Sequence, residues 1–333
     1  MENKISLNDK FYVAGANGMV GSAICRKLRE KGYGNKELGG ELLMPKRKEL
    51  DLLNYSLVEE WFSLNKPTVV ILAAAKVGGI LANALNPYDY LIENLKIQNN
   101  IIDNSLLNGI KRFLFLGSSC IYPKFAKQPI KEEELLKGYL EKTNECYALA
   151  KISGIKLCEA LRIQHNFDAI SLMPTNLYGP KDNYHPQNSH VMASLIRKFS
   201  EGSNNLSASI TCWGSGRPKR EFMHVDDLAE AVIFCLEKWD PKDQDAPKDL
   251  NGDSLSFLNV GTGVDISIGN LAEKISFETN FDGKIIWDQS KPDGTPRKLL
   301  DIDRIKKLGW KPKINLNEGI KRTIQEYKKT YCK

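Results

Sequence analysis

The sequence predicts an α/β protein in which a doubly wound parallel sheet carries a smaller, loop-rich α/β domain. Three observations support this: short apolar segments alternate with helical patterns in the first half, a glycine-rich turn follows the first segment, and turns become dense after Pro174. The 333 residues are 42% hydrophobic and 26% charged, with 25 Gly and 14 Pro. This composition is ordinary for a globular protein and excludes disordered, collagenous and coiled-coil classes.

Short apolar segments and longer helical patterns define the predicted elements of the first half. Strands are predicted at 11–14, 41–44, 69–73, 112–116 and 169–172. Helices are predicted at about 18–31, 87–107 and 143–165. Strands separated by helices form right-handed βαβ units, which make the strands parallel and cover both faces of the sheet.

After Pro174 the pattern changes to short, isolated strands separated by frequent turns. We predict a first domain of residues 1–173, completed by part of 221–260, and a second, discontinuous domain formed mainly by 174–333. Ligands of open α/β sheets bind outside the carboxyl ends of the strands, where the second domain would grow out of the first. The second domain is therefore expected to supply the substrate contacts.

Charge and cysteine usage exclude several other classes. The 47 basic and 41 acidic residues leave a net charge of +6 that is spread along the chain, so we expect no nucleic-acid partner. The seven cysteines are scattered and never form CxxC, which argues against a disulfide framework or a metal site and for a reducing compartment. No 18-residue apolar run and no leader-like start are present, so we expect a cytoplasmic protein without a membrane partner.

A glycine-rich turn directly follows the first predicted strand and opens the first predicted helix. Gly15 permits the tight turn, Gly18 lets backbone N–H groups approach a pyrophosphate, and Gly21 allows close packing of helix and strand. The helix N-terminus also favours negative charge. This is typical of Rossmann-type dinucleotide sites, and an ordinary strand–turn–helix with incidental glycines is the alternative. The predicted cofactor-binding residues here are Gly15, Ala16, Asn17, Gly18, Met19, Val20 and Gly21.

The residues after the second predicted strand indicate which dinucleotide binds. NAD enzymes of this class usually carry Asp or Glu here for the ribose 2′-hydroxyl, whereas this chain has Lys46, Arg47 and Lys48. Cations suit the 2′-phosphate of NADP, so we predict NADP(H), bound by Arg47. Asp51 and Leu52 are placed to close over the adenine edge. A solvated basic turn is the alternative interpretation.

Tyr147 and Lys151 lie four residues apart on a predicted helix and therefore share one face. A phenol near a fixed ammonium is favoured in its ionised form, so we expect Lys151 to lower the pKa of Tyr147 for proton transfer near neutral pH. Ser118 and Cys120 follow the fourth predicted strand, at the edge where sheet enzymes place catalytic groups. Ser118 can hydrogen-bond a substrate carbonyl that Tyr147 protonates.

The glycine turn and the Ser/Tyr/Lys set together resemble the extended short-chain dehydrogenase/reductase superfamily. Longer segments narrow the resemblance to the GDP-L-fucose synthase family. These segments are 73–80 (AAAKVGGI), 116–123 (LGSSCIYP), 174–180 (PTNLYGP), 188–190 (NSH), 213–227 (WGSGRPKREFMHVDD) and 291–301 (KPDGTPRKLLD). The Ser-Ser-Cys and Asn-Ser-His segments are more specific than the glycine turn.

The resemblance implies an NADPH-dependent enzyme that inverts C3 and C5 of GDP-4-keto-6-deoxy-D-mannose and reduces C4 to give GDP-L-fucose. A C4 ketone acidifies the protons on C3 and C5, and each inversion needs a base on one face and an acid on the other. The matching pair is Cys120 as base and His190 as acid. Ser118 and Tyr147 are implied to donate to the C4 oxygen of the enediolate, and Tyr147 to supply the proton for reduction.

The resemblance also implies further binding residues and an assembly. Additional cofactor contacts fall on Leu116, Gly117, Lys151, Pro174, Asn176, Leu177 and His190. Contacts with the GDP-sugar fall on Lys198, Trp213, Arg220 and Asp293, with Asn176 beside them. The family is dimeric, so we expect a homodimer in which helices 87–107 and 143–165 pair into a four-helix bundle.

Two positions depart from the family's pattern. Many members carry Arg where this chain has Asn17, so the preference for NADP depends on Arg47 and its lysine neighbours. Lys198 stands where Arg is frequent and gives a point charge in place of a fork. Another nucleotide-sugar epimerase, dehydratase or reductase of the superfamily is the main alternative. A non-catalytic NADP-sensing or RNA-binding protein on this scaffold would be expected to lack Tyr147 or Lys151.

Overall fold

The computed structural model describes residues 3–291 and 293–332. The strands of this part of the chain are β1 (Lys10–Ala14), β2 (Glu41–Leu43), β3 (Val69–Leu72), β4 (Arg112–Leu116), β5 (Ala169–Pro174), β6 (Asn176–Tyr178), β7 (Ser209–Trp213), β8 (Lys219–His224), β9 (Phe257–Val260), β10 (Asp265–Ser267), β11 (Lys284–Asp288) and β12 (Arg297–Lys298). The α-helices are α1 (Met19–Glu30), α2 (Tyr55–Asn65), α3 (Ile80–Leu85), α4 (Pro87–Leu107), α5 (Glu145–His165), α6 (Val191–Asn204), α7 (Val225–Lys238), α8 (Ile268–Thr279), α9 (Asp303–Lys307) and α10 (Leu316–Tyr331).

Six strands form one sheet in the order β2-β1-β3-β4-β5-β9. Every neighbouring pair in this sheet runs parallel, which confirms the predicted doubly wound parallel sheet. The strand order reverses between β1 and β3, and this opens a crevice at the carboxyl ends of these two strands. β9 joins the sheet from the second half of the chain, whereas the sequence pattern predicts only the first five strands.

Helices cover both faces of this sheet. α4 and α5 pack against each other and, with α2, cover one face, while α1 and α7 pack together on the other. Gly154 lets α5 approach β4 closely, because a Cβ at this position would lie 2.4 Å from the ring of Phe115. This close contact fixes α5, which carries Tyr147 and Lys151, against the centre of the sheet.

Local patterns locate most elements of the first half. The predicted helix 87–107 and strand 112–116 have the same bounds as α4 and β4. β5 extends two residues beyond its predicted end, because its pairing with β9 continues to Pro174. α2 is not predicted, since Val58 and Phe62 are the buried residues among its 11 and its apolar pattern is correspondingly weak.

A second group of elements surrounds β8. This strand pairs in parallel with β6 and β12 and antiparallel with β10, and β7 pairs in parallel with β11. α6, α8 and α10 pack around a separate apolar core. Its buried members include Tyr178, Met192, Phe199, Leu271, Ile275 and Ile320. The domain boundary after residue 173 stays a prediction.

One buried carboxylate joins the two groups of elements. Glu221 on β8 is fully buried and accepts hydrogen bonds from the backbone N–H groups of Thr262 at 2.6 Å, Gly263 at 2.7 Å and Leu300 at 3.0 Å. A side chain at Gly261 would occupy the same space, because its Cβ would lie 2.2 Å from Glu221 Oε1. Hydrogen bonds to a charged acceptor are strong, so Glu221 fixes the ends of β9 and β12 beside β8.

Across residues 3–291 and 293–332, no helix combines the length and the apolar character needed to cross a membrane. The same residues contain no group of three or more His, Cys, Asp or Glu side chains arranged to hold a metal ion. The seven cysteines are free thiols.

Asp182, between β6 and α6, has a stability contribution that depends on pH. Its buried carboxylate accepts a hydrogen bond from the backbone N–H of Asn183 at 2.7 Å, and burial raises its pKa from 3.8 to about 7. The folded state therefore binds more protons than the unfolded state between these two pKa values. Its destabilising effect grows as the pH rises through this window and is complete above about pH 7.

We expect Asp182→Asn to raise the free energy of unfolding by about 2 kcal/mol at pH 8, and by clearly less at pH 5, because the neutral amide removes the buried charge. Urea denaturation at the two pH values measures the difference. The exposed Asp245→Asn serves as the control and should show no such dependence. An equal gain for Asp182→Asn at both pH values would contradict the assignment.

Candidate active site

The glycine-rich turn after β1 is shaped by contacts that leave little room for side chains. Gly15 has a φ of +86°, and a Cβ there would lie 2.8 Å from the backbone of Ala74. A Cβ at Gly21 would lie 2.1 Å from the carbonyl oxygen of Gly15, whereas one at Gly18 would lie 3.5 Å from that oxygen. Gly18 is the N-cap of α1, so no side-chain oxygen caps the first backbone N–H groups of this helix. The helix N-terminus and the open cradle before it fit a pyrophosphate.

Gly21 and Gly18 provide a matched pair of substitutions. Gly21→Ala is expected to lower the free energy of unfolding of the cofactor-free protein by about 1–3 kcal/mol, because the methyl group overlaps the Gly15 carbonyl. Gly18→Ala should cost less than about 1 kcal/mol, yet it should weaken NADP⁺ binding by filling the cradle. Urea denaturation and calorimetric titration measure the two effects. Equal losses of stability in the two variants would contradict the packing argument.

Arg47, Asp51 and Leu52 follow β2, the neighbour of β1 in the sheet. Arg47 is exposed, and its guanidinium makes no hydrogen bond or ion pair with any other described residue. The Asp51 carboxylate accepts a backbone hydrogen bond from Leu53 at 3.1 Å and thereby stabilises its own turn. Asn17, at the tip of the glycine turn, is also exposed. Arg47 is therefore available to a phosphate on this edge, together with the exposed Lys46 and Lys48 beside it.

Tyr147 lies on the first turn of α5, near Ser118 and Cys120 at the carboxyl end of β4. Burial raises the pKa of Tyr147 well above its ordinary value, the nearby Cys120 adds to the rise, and the Ser118 hydroxyl opposes it. The prediction that Lys151 lowers this pKa is wrong, because burial dominates the shift and the groups that act on the phenol beside it are Cys120, Ser118 and Tyr90. Tyr147 is therefore a protonated phenol at neutral pH.

Lys151 is buried one turn further along α5. Its ammonium donates to the carbonyl oxygen of Leu116 at 2.8 Å and lies 5.9 Å from the centre of the Tyr147 ring. Burial lowers the pKa of Lys151 to about 8. The hydrogen bond to Leu116 fixes the ammonium at the end of β4, so the fold brings the predicted Ser/Tyr/Lys set together.

Cys120 lies in the short 3-10 helix Ser119–Ile121 after β4 and is half-buried. The side-chain amide of Asn144 donates to its sulfur from 3.2 Å, and the ammonium of Lys298 lies 3.8 Å from the same atom. Sequence analysis missed both of these neighbours. Asn144 precedes Tyr147 by about one helical turn and Lys298 lies in the matching segment 291–301, and these positions were the signals available.

His190 is the N-cap of α6. Solvent reaches its side chain, but surrounding protein atoms partly desolvate the imidazole and lower its pKa below the ordinary value. The turn after β3 holds the segment before it: the N–H of Gly79 donates to the carbonyl of Asn188 at 3.2 Å, and a Cβ at Gly79 would lie 2.6 Å from the carbonyl oxygen of Ser189. A lowered pKa makes the protonated imidazole a stronger acid.

Lys76, on the segment after β3, forms ion pairs within the fold. Its ammonium pairs with Asp89 at 3.2 Å and with Glu93, both on α4, and these hydrogen bonds raise its pKa. Its backbone N–H donates to the side chain of Asn94 at 2.9 Å. Lys76 therefore attaches the 73–80 segment to α4 and is not available as a free cation for a ligand.

The predicted GDP-sugar residues form a second cluster beyond the main sheet. The ammonium groups of Lys198 and Lys291 lie 6.0 and 5.7 Å from the ring centre of Trp213, whose side chain is half exposed. Asp293 accepts two hydrogen bonds from Ser215, one from the backbone and one from the hydroxyl, each at 2.7 Å. Asp293 therefore stabilises the turn after Trp213, and Lys291 is an additional cation that sequence analysis missed.

Arg220 connects this cluster with Cys120. It lies on β8 directly opposite Lys298 of β12. Burial lowers its pKa, while the nearby Cys120, Glu141 and Asp293 act in the opposite direction. The guanidinium is therefore near both the thiol and Asp293 of the predicted nucleotide cluster.

The remaining predicted cofactor contacts lie at the carboxyl ends of the central strands. A Cβ at Gly117 would lie 2.3 Å from the sulfur of Met173 on β5, so a side chain at this position would displace the end of that methionine. Pro174 ends β5, and Leu177 lies half-buried on β6. The side-chain amide of Asn176 donates to the carbonyl of Glu221 at 2.8 Å. All four positions lie at or just beyond the carboxyl ends of β4 and β5.

Comparison with known proteins places this geometry in a family. The model of the NAD dependent epimerase/dehydratase family matches residues 11–251. A putative GDP-L-fucose synthase 2 from Arabidopsis thaliana is 51% identical, and the match covers 96% of this chain and 91% of that protein. The GDP-L-fucose synthase of Escherichia coli is 48% identical, with 95% of each chain covered.

A solved structure of a related enzyme agrees with these matches. It is the GDP-mannoheptose C4 reductase from Campylobacter jejuni with NADP bound, which is 36% identical and superposes with a TM-score of 0.85 over 97% of this chain and 99% of that one. The chain therefore belongs to the NAD dependent epimerase/dehydratase family and, within it, to the GDP-L-fucose synthases.

Proposed function

We propose that this protein converts GDP-4-keto-6-deoxy-D-mannose to GDP-L-fucose in one site, with Cys120 and His190 as the base and acid of the inversions and Tyr147 as the proton donor for reduction. The protein is an NADP(H)-dependent epimerase/reductase of GDP-L-fucose biosynthesis. The observation that carries the residue assignment is the position of the Cys120 thiol near Ser118 and Tyr147 at the carboxyl end of β4.

In each inversion the Cys120 thiolate takes the proton from C3 or C5. The electron pair of that C–H bond forms a double bond to C4, and the π pair of the C4 carbonyl moves to its oxygen. Ser118 and Tyr147 donate hydrogen bonds to this oxygen and stabilise the enediolate. His190, as imidazolium, gives a proton to the opposite face of the carbon and so inverts the centre. Desolvation lowers the pKa of His190, which makes its imidazolium a stronger acid but leaves less of it protonated at neutral pH. Between the two inversions the imidazole and the Cys120 thiol exchange protons with solvent and return to imidazolium and thiolate.

Reduction at C4 needs a proton donor that is still protonated at neutral pH. Burial keeps the Tyr147 phenol protonated, which supports its assignment as the donor to the alkoxide at C4. NADPH, when bound, supplies the hydride for this carbon. Lys151, held by the Leu116 carbonyl at 2.8 Å, places a cation near the phenolate that remains after the proton has left.

The residues around the glycine turn fit NADP(H). The cradle formed by Gly15, Gly18 and Gly21 and the N-terminus of α1 would hold the pyrophosphate. Arg47 would bind the 2′-phosphate, because it has no other described partner and Asn17 offers no charge. In this chain the selectivity for NADP(H) therefore depends on the basic turn after β2.

The cluster at Trp213 supports the assignment of the nucleotide end of the substrate. Lys198 and Arg220 supply cations for the diphosphate, and the half-exposed Trp213 ring offers an apolar face to the guanosine. Lys291 adds a second cation beside that ring. Because Arg220 is near both Cys120 and Asp293, the sugar of a GDP-sugar bound at this cluster would reach the thiol.

The deciding experiment is turnover of GDP-4-keto-6-deoxy-D-mannose with NADPH in D2O, followed by NMR of the product. The proposal predicts GDP-L-fucose with deuterium at both C3 and C5, since each inversion exchanges a proton with solvent. NADPH oxidation without deuterium at these carbons would show that the protein is a 4-reductase without epimerase activity. No turnover with this substrate would direct the search to other GDP-sugars, such as the heptose of the solved relative.

The assembly and the compartment are also proposals. Leu149, Leu157 and Ile163 are exposed on α5, and this apolar face supports a homodimer through α4 and α5. Light scattering of the purified protein would give the mass of the assembly. The seven free thiols support a cytoplasmic location.

A further inference from the structure

We propose that Lys298 and Asn144 are positioning residues for the base Cys120: Lys298 places a positive charge beside the sulfur, and Asn144 fixes its orientation. This inference rests on the proposed function of Cys120. The ammonium of Lys298 lies 3.8 Å from Sγ, and the amide of Asn144 donates to Sγ from 3.2 Å. The thiolate is the reactive form of cysteine, and a cation at this distance favours it.

The segment that carries Lys298 is fixed on both of its sides. On one side, Lys298 stands opposite Arg220 in the parallel pairing of β12 with β8. On the other side, the N–H of Ile130 donates to the carbonyl of Leu299 at 2.7 Å, and the N–H of Asp301 donates to the carbonyl of Ile130 at 2.8 Å. Ile130 belongs to the segment that follows Cys120. These backbone bonds therefore fix the position of the Lys298 ammonium relative to the Cys120 sulfur.

The buried side-chain amide of Asn259 also joins these two segments. Asn259 on β9 is fully buried and accepts a hydrogen bond from the hydroxyl of Tyr122 at 2.5 Å. It also donates to the carbonyls of Ile130 at 2.9 Å and Asp301 at 3.2 Å. One side chain thus joins the segment after the base to the segment after Lys298. A hydrogen-bonded network of this kind, with its members paired, is rigid.

Asn144 is directed at the sulfur in place of an ordinary capping role. It is the N-cap of α5, yet its side chain makes no capping hydrogen bond. Its NH2 group donates to Cys120, while its Oδ1 is buried without a hydrogen-bond partner in the described part of the chain. The hydrogen bond from the Asn144 side chain to the thiol therefore takes the place of the usual capping hydrogen bond.

The other charged and titratable groups around the sulfur do not replace Lys298. The guanidinium of Arg220 on β8 interacts electrostatically with the thiol, but the carboxylate of Glu141 also interacts with this guanidinium and offsets part of its charge. Glu141 pairs with Lys124 at 2.9 Å, so that pair adds little net charge. Tyr147 on α5 is a neutral phenol. Within residues 3–291 and 293–332, Lys298 is the cation in direct contact with the sulfur.

The test is the pH dependence of Cys120 alkylation by iodoacetamide in the NADP⁺-bound protein, followed by peptide mass spectrometry. Lys298→Met removes the charge but keeps the length of the side chain, and Lys298→Arg restores the charge. We expect the midpoint of the pH profile to rise in Lys298→Met and to return toward the wild-type value in Lys298→Arg. Asn144→Ala should raise the same midpoint by a smaller amount.

Two controls are matched to this site. Arg297→Met removes the adjacent cation of β12, which pairs with Asp265 at 2.5 Å, and it should leave the Cys120 midpoint unchanged. Half-buried Cys146, on α5, provides an internal reference whose profile should not move in Lys298→Met. Lys298→Gln is a second neutral replacement if Lys298→Met is unstable.

An unchanged Cys120 midpoint in both neutral variants would overturn the proposal, and a higher KM for the GDP-sugar with that unchanged midpoint would make Lys298 a substrate contact only. An equal shift in Arg297→Met would also overturn it, by showing a general effect of surface charge. A different outcome would contradict the proposed function of Cys120. If the midpoint shifts in Lys298→Met but the wild-type protein incorporates no deuterium at C3 and C5, the charge pair stands and Cys120 is not the base.

Discussion

Tyr147→Phe is expected to abolish reduction of the C4 ketone while C3 and C5 still exchange protons with the solvent. The substitution removes the phenolic proton that the alkoxide needs, and loss of a general acid typically lowers the rate by about 10²–10⁴-fold. Cys120 and His190 are unchanged, and Ser118 still donates to the C4 oxygen, so a slower exchange should remain. NADPH oxidation and deuterium incorporation, measured in the same reaction, separate the two steps.

Tyr331→Phe is the matched control for this experiment. Tyr331 is exposed on α10, where its ring packs against Tyr184 and Tyr327, so its loss of a hydroxyl should leave both rates unchanged. Wild-type rates of NADPH oxidation in Tyr147→Phe would show that another group protonates C4. Loss of exchange together with reduction would instead show that Tyr147 is the main donor to the enediolate.

Cys120→Ser is expected to block both inversions by at least about 10²-fold, because a hydroxyl is a far weaker acid than a thiol and is not ionised near neutral pH. Hydride transfer to the unepimerised ketone should remain, since Tyr147 and Lys151 are untouched. The measurement is NMR of the product formed in D2O. It should show a 4-reduced sugar that retains protium and its original configuration at C3 and C5.

Cys146→Ser provides the control for the loss of a thiol. Cys146 is half-buried on α5, two residues after Asn144, and its sulfur is in no hydrogen bond among the described residues. Its replacement should leave product and rate unchanged. Full formation of GDP-L-fucose by Cys120→Ser would show that another group is the base, and it would remove the foundation of the role proposed for Lys298.

Much of the fold follows from local patterns in the sequence. The strands of the first half are continuous apolar segments because both faces of a parallel sheet are buried, and α4 has the bounds that its pattern predicts. β9 is different, because a strand of four residues is assigned to a sheet by its pairing with β5, more than 80 residues earlier in the chain. Short segments after Pro174 carry no local sign of their distant partners.

The sequence by itself determined the fold class, the glycine turn and the identities of the groups proposed for catalysis, because each lies within a short motif. Only the tertiary structure decided how these groups are charged. The pKa of Tyr147 rises, against expectation, because its surroundings remove water from the phenol. Lys298 meets Cys120 across 178 residues of chain, through the pairing of β12 with β8. Desolvation and charge contacts depend on distance in space, which local sequence patterns do not encode.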